Sequence, residues 1–271
     1  MGFMYKGKHS GRDIGVITTV RSRPFLAPPK TNFNEDVPYM DGSIDFSQTG
    51  GRVFYKDKIL EVVFHVKESD VNKRNKIIER FAAWLSGGKG ELILDDMPMV
   101  KWIAYPVNTD DMQISLSRLG KCTVEFRCEP FNKFIYSTGE GIPIDSDILL
   151  LDSDIPIGWG EEFELSDGEN QITVSNDGSA YVRPVIEVQG DFSSISVTLR
   201  ENTIKYNTPF TKIEIDCECF AVFADDKEAT HNSKGDFLEL APGDNNIIIS
   251  ASGSGTVCFD FTPQYFYDTQ Y

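Results

Sequence analysis

The sequence has 271 residues and a mass of 30.4 kDa, enough at ~100–200 residues per domain for two domains. Its apolar (40%) and charged (25%) fractions exclude a disordered chain, and its longest apolar runs, such as Ile148-Leu149-Leu150-Leu151, fall far short of the ~20 residues of a membrane helix. A formal net charge of −16 and a pI near 4.6 exclude a protein that grips nucleic acid by its phosphates.

The opening Met1-Gly2-Phe3-Met4-Tyr5-Lys6 has no secretory apolar stretch, which predicts folding in a cytoplasm. Five cysteines at low density do not make a disulfide scaffold. Charge is split along the chain. Residues 1–138 carry 20 Lys+Arg and 17 Asp+Glu, a net of +3. Residues 139–271 carry 6 and 25, a net of −19, and the two nets give the −16 of the whole. The change falls in the turn-rich Ser137-Thr138-Gly139-Glu140-Gly141-Ile142-Pro143, so two domains, 1–138 and 139–271, are expected. No repeat with a period of 20–50 residues is visible.

In chain order, Arg21-Ser22-Arg23-Pro24-Phe25 and Ala27-Pro28-Pro29 read as extended but irregular, since proline removes ladder donors. Pro28 to Ser43 reads as a long loop or projecting arm, a type that is usually functional or mobile, and Phe25, Leu26 and Tyr39 read as exposed apolar residues of this region. Ile59–Val66 is β-branched and long enough for a buried strand. Asp70 is a good N-cap. After it Val71, Arg74, Ile77, Ile78, Phe81 and Leu85 fall at helical spacing, until Gly87-Gly88 stops the helix. Strands are predicted at Glu91–Leu94, Val100–Val107 and Cys122–Cys128.

The second half reads as all β. Strands are expected over Tyr181–Gly190, Ser194–Leu199 and around Ile213/Ile215, Phe220–Phe223 and Phe237–Leu240. A Pro242-Gly243-Asp244 turn, Asn246–Ser250, a Gly253-Ser254-Gly255 turn and Val257–Phe261 close the series. Short strands at roughly 8–12-residue intervals with Gly/Pro/Asp turns indicate a sandwich.

Catalytic chemistry is not visible. His9, His65 and His231 have no partner at ligand spacing. Cys217-Glu218-Cys219 would set two thiols on one strand face, a soft-metal pattern, but no second Cys or His pair lies nearby. Cys122 and Cys128 on one strand would stand about 20 Å apart, too far to bond. A glycosidase pair among Asp152, Asp154, Glu161, Glu162 and Glu164 cannot be told from solvated acidic loops. Asp145-Ser146-Asp147 does not continue as a calcium loop. Gly87-Gly88-Lys89-Gly90 follows a helix instead of opening one and lacks phosphate-loop spacing. Trp84, Trp102 and Trp159 read as core or interface aromatics. No catalytic, cofactor-binding or metal residue is assigned, no cofactor is expected, and the chain is read as non-enzymatic.

Several segments, taken in order, resemble the distal tail proteins of long, flexible-tailed bacteriophages and their prophages. Arg21-Ser22-Arg23-Pro24, Val37-Pro38 and Asp41-Gly42-Ser43 look like that family's N-terminal belt. Ala83-Trp84-Leu85-Ser86-Gly87, Leu92–Pro98 and Cys122–Phe131 are the most specific part: a helix ending in Trp-Leu, an Asp-x-Pro turn and a strand closing in Pro-Phe. Arg183–Val188 and Leu240-Ala241-Pro242-Gly243-Asp244-Asn245 look like its galectin-like sandwich. Tyr39-Met40 departs from the family, which often has glycine shortly after Val-Pro.

The resemblance implies a mainly β protein: a β-rich belt domain with one helix, then a galectin-like β-sandwich. It implies a virion protein without enzymatic activity, assembled in the host cytoplasm, whose N-terminal domains form a hexameric ring hub at the end of the tail tube. Its partners would be its own copies, the tail tube protein, the tail-tip protein and receptor-binding proteins, with no membrane insertion and no specific nucleic-acid binding. The acidity fits a ring through which DNA passes without sticking, and a cyclic ring needs two different complementary surfaces per subunit. The competing reading is a carbohydrate-binding module for host-surface adhesion, with Trp159, Tyr181 or Tyr206 stacking on sugar. A wall-degrading hydrolase has no residue set behind it.

Overall fold

The computed structural model describes residues 2–22, 28–36, 38–47, 52–107, 120–139 and 162–266. It divides into two compact units, Met1–Lys133 with the stretch from Phe266, and Phe134–Tyr265. The chain therefore crosses between units twice, just before the charge change at residue 138 and again after Tyr265.

The first unit contains β1 (Phe3–Tyr5), β2 (Lys8–His9), β3 (Ile17–Ser22), β4 (Asn34–Asp36), β5 (Ser43–Asp45), β6 (Lys58–His65), α1 (Val71–Leu85), β7 (Gly90–Leu94), β8 (Val100–Val107) and β9 (Lys121–Cys128). Its antiparallel sheet runs β2-β1-β7-β8-β9-β6-β3. The strand period of two decides what is buried. Leu60, Val62 and Phe64 of β6 point inward beside Cys122, Val124 and Phe126 of β9.

Helix α1 starts where Asp70 accepts from Asn72 N–H at 2.8 Å and Lys73 N–H at 3.0 Å, which satisfies two of the orphan donors of a first turn. It ends before Gly88, whose φ of +73° glycine adopts without a Cβ penalty. Its buried stripe is Ile78, Phe81, Trp84 and Leu85. Phe81 meets Phe64 at 4.6 Å, and Trp84 stacks on Phe3 at 5.5 Å.

Two expectations for this half are corrected. Arg21 and Ser22 belong to a strand: they finish β3, with Ser22 paired to Glu61 of β6 and the register shifting at Arg21. Phe3 and Tyr5, in no predicted element, form a central strand with both side chains fully buried. Residues 23–27 lie outside the described residues. After β2 comes a single π-helical turn, Ser10–Ile14. His9 caps it: Nδ1 accepts from Gly11 and Arg12 N–H at 3.1 and 3.0 Å, so Nε2 carries the hydrogen that faces Asp95 at 3.1 Å.

β10 (Asn132–Phe134) carries the chain across. The second unit then has β11 (Glu162–Leu165), β12 (Gly168–Asn176), β13 (Val185–Leu199), β14 (Asn202–Tyr206), β15 (Phe210–Asp216), β16 (Ala221–Ala224), β17 (Lys227–Glu228), β18 (Ser233–Gly235), β19 (Gly243–Asp260) and β20 (Gln264–Tyr265). β13 and β19 run antiparallel over almost their whole lengths. The first part of β13 pairs with β15, and its last part, Ile195–Leu199, with β14.

A bulge makes this possible. Ile186, Val188 and Phe192 point inward, but after the register shift so do Ile195, Val197 and Leu199, one residue out of phase. An extra residue lets a strand bend while keeping its apolar side inside. The expected Gly253-Ser254-Gly255 turn is therefore absent; β19 runs straight through it. A Cβ at Gly255 would sit 2.0 Å from the Gln189 carbonyl oxygen, and one at Gly253 2.0 Å from that of Asp191. These glycines permit close backbone approach at the bulge, not chain reversal.

At the expected Pro242-Gly243-Asp244 turn the chain bends at Pro242 and Gly243 already opens β19, and buried Asn245 holds the bend. Its Oδ1 accepts from Ala241 N–H at 2.9 Å and Arg200 Nη2 at 3.0 Å, and its Nδ2 donates to the Ala241 and Gly243 carbonyls at 2.8 Å.

Candidate functional site

The Pro28–Ser43 segment is not plain loop: it carries the small antiparallel pair β4–β5, with Glu35 opposite Ile44. Its root is fixed to the following strand segment. Thr31 N–H donates to Phe54 O at 2.7 Å, Lys56 N–H to Pro29 O at 2.8 Å, and Lys30 bridges to Tyr55. Tyr55 packs against Phe131 at 5.7 Å and Phe266 at 5.0 Å, while buried Lys58 donates to the Phe266 carbonyl at 2.9 Å.

Beyond this root the hairpin turns its apolar side chains to solvent. Phe33, Met40 and Phe46 are about half exposed, and Tyr39 is 109% exposed. Tyr39 also holds φ +67°, in the left-handed region that costs a bulky residue. Phe33 and Phe46 meet at 6.2 Å, and Phe46 N–H donates to Phe33 O at 2.8 Å. Asp45 closes the base: the Ser47 hydroxyl, then its N–H, hold the Asp45 carboxyl below the usual range. The hairpin is internally bonded yet presents aromatic surface outward, the form of an unfilled interface. Tyr39 was expected to be exposed and is. Phe25 and Leu26, read the same way, lie outside the described residues.

The other sequence candidates are dispersed. Cys217 and Cys219 do not share a strand face, because residues 217–220 form a turn that buries Cys217 and exposes Cys219. Burial pushes the Cys217 thiol up to about 11 and that of Cys122 to about 12. Among the described residues no group of three His, Cys, Asp or Glu is placed to hold a metal, and no helix is long and apolar enough to cross a membrane. Glu162 and Glu164 are exposed on β11, whereas Asp145, Asp147, Asp152, Asp154, Trp159 and Glu161 lie outside the described residues. Of the proposed sugar-stacking rings, Tyr206 is buried and Tyr181 is partly exposed. Trp84 and Trp102 are core residues.

Residues 9–128, which hold the hairpin, α1 and most of the first sheet, match the phage tail protein RIFT-related domain family. Over those residues the chain is similar to a phage tail domain. The matched residues lie within the first unit, and the second unit follows them. Among solved structures the chain is similar to the crystal structure of the Dit (gp 19.1) protein of phage SPP1, described as a paradigm of hub adsorption apparatus in phages that infect Gram-positive bacteria. The TM-score is 0.64 at 14% identity, over 96% of this chain and 98% of that one. No curated protein matches in sequence. The match to a phage tail domain and the shared fold bear out the distal-tail resemblance and the β-rich fold expected from it.

Proposed function

We propose that the protein is a structural distal tail protein of a long, flexible-tailed phage or prophage. In this reading it forms a hexameric ring at the end of the tail tube and joins the tube to the tail-tip and adsorption proteins. The match to a phage tail domain over residues 9–128 supports the assignment to the tail. The observation that carries self-assembly is the hairpin around Tyr39. An aromatic surface held in fixed geometry and left open on one copy is buried at no ordering cost by the next. In a ring each copy gives one surface and receives another, so one discrete oligomer forms. The role proposed is structural.

The test is the mass of the full chain by light scattering across concentration, alone and mixed with the tube protein of the same phage. A single ring-sized species is expected. Tyr39→Ser with Met40→Ser, at exposed positions, should abolish it without lowering the melting temperature. Single copies under every condition, or rings that survive the double substitution, overturn the reading.

A further inference from the structure

The first unit has a second feature that the hairpin reading does not use. A cavity of about 460 Å³ opens between α1 and the β1–β2 turn, within the size range of small-ligand sites. Its apolar floor is lined by Ile14, Ala83 and Trp84. That floor is rigid: Ile14 is buried at the end of the π-helical turn, and Trp84 donates its indole N–H to Tyr5 O at 2.8 Å.

Three charges line the cavity, Lys8, Arg80 and Asp13. Asp13 is already engaged, its Oδ2 accepting from His9 N–H at 2.7 Å. Lys8 and Arg80 have no carboxylate partner among the described residues. The cavity thus carries one net positive charge over an apolar floor. A carboxylate beside an aliphatic group complements both the cations and the floor, whereas inorganic phosphate leaves the floor uncovered.

We propose that this cavity receives a carboxylate with an adjoining aliphatic side chain, presented by an acidic segment of a partner protein. The guanidinium of Arg80 and the ammonium of Lys8 hold the carboxylate, and the aliphatic group covers Trp84 and Ile14. That the partner is another tail protein rests on the hub reading; the chemistry of the cavity does not.

The experiment titrates the full chain with acetyl-Asp-Leu-amide, its acetyl-Asn-Leu-amide counterpart and inorganic phosphate, following the Trp84 indole N–H resonance. The Asp peptide should saturate with a dissociation constant on the order of millimolar, as its small size allows, and weaken as salt is raised. The Asn peptide and phosphate should bind at least about tenfold more weakly, matching one lost charge-assisted hydrogen bond. Arg80→Gln and Lys8→Gln should each weaken the Asp peptide by about tenfold at an unchanged melting temperature. Equal binding of the two peptides, tighter binding of phosphate, or full affinity in Arg80→Gln overturns the proposal. Binding as described by a chain that never forms a ring would sink the hub reading and leave the cavity standing.

Discussion

The indole N–H of Trp84 on α1 donates to the backbone carbonyl of Tyr5 on β1 at 2.8 Å. One bond thus fastens the only long helix described to a strand far away in sequence. Trp84→Phe keeps most of the ring and removes one buried hydrogen bond, which costs about 0.5–1.5 kcal/mol. Phe81→Ala, at 1% exposure, should cost about 3–5 kcal/mol. Glu79→Ala, on the solvent face, should cost less than ~0.5 kcal/mol. Urea melts of the three variants check this order.

What could be read from sequence follows from how local each signal is. The span of α1 was legible because its apolar spacing is bracketed by Asp70 and Gly88, and the β6–β9 strands are long enough for their period to show. The β1 strand was not legible: three residues, Phe3 to Tyr5, carry no measurable period. The pair β4–β5 is hidden for the same reason. Gly253-Ser254-Gly255 misled because glycine serves both reversal and close backbone contact, and only the partner strand at Gln189 and Asp191 decides which. For the interface, Tyr39 stood out as an apolar residue in a polar, proline-flanked stretch, while the cavity at Lys8 and Arg80 joins elements too far apart in sequence to suggest one another.

The two roles of glycine separate by mutation. Gly255→Ala drives a methyl group into the Gln189 carbonyl and should cost about 3 kcal/mol or more. Gly243→Ala meets open space at φ +83°, so backbone strain alone applies, about 1–2 kcal/mol. Thermal melts of the two proteins should differ clearly, with Gly255→Ala the lower.

Cys219 is exposed, yet its thiol is held above the ordinary value, first by the hydrogen bond to the Asp216 carboxylate and then by that group's charge. A raised thiol is less ionised at neutral pH and reacts slowly. Asp216→Asn keeps an oxygen for the Glu218 and Cys219 N–H groups and removes the charge. Alkylation by iodoacetamide at pH 7.5 should accelerate in this variant, read by peptide mass. Cys217 and Cys122 should stay unmodified in both.

Asp225 sits at φ +48° between β16 and β17, and its carboxylate accepts from the Thr211 hydroxyl at 2.7 Å and from the Lys212 and Thr211 N–H groups at 3.0 and 3.1 Å. The Thr211 hydroxyl first, then these N–H groups, lower its pKa below the ordinary 3.8. Its contribution to stability is therefore full above 3.8 and is lost as pH falls through the lower folded value. Asp225→Asn should flatten the stability–pH profile below about pH 4 and leave its shape above that unchanged, as measured by urea melts at stepped pH.

The long strand β19 pairs with β11, β12 and β13, and a ribosome makes it after all three. At roughly 5–20 residues per second, β13 waits several seconds for its neighbour with its edge unpaired. Phe266, which packs on Tyr55 and Phe131 of the first unit, is made later still. Neither unit can therefore complete its packing before β19 and Phe266 have left the ribosome, although the first was begun long before. Synthesis thus times maturation: the two units finish together, and a nascent chain stalled before residue 243 should remain open to proteases throughout its second half.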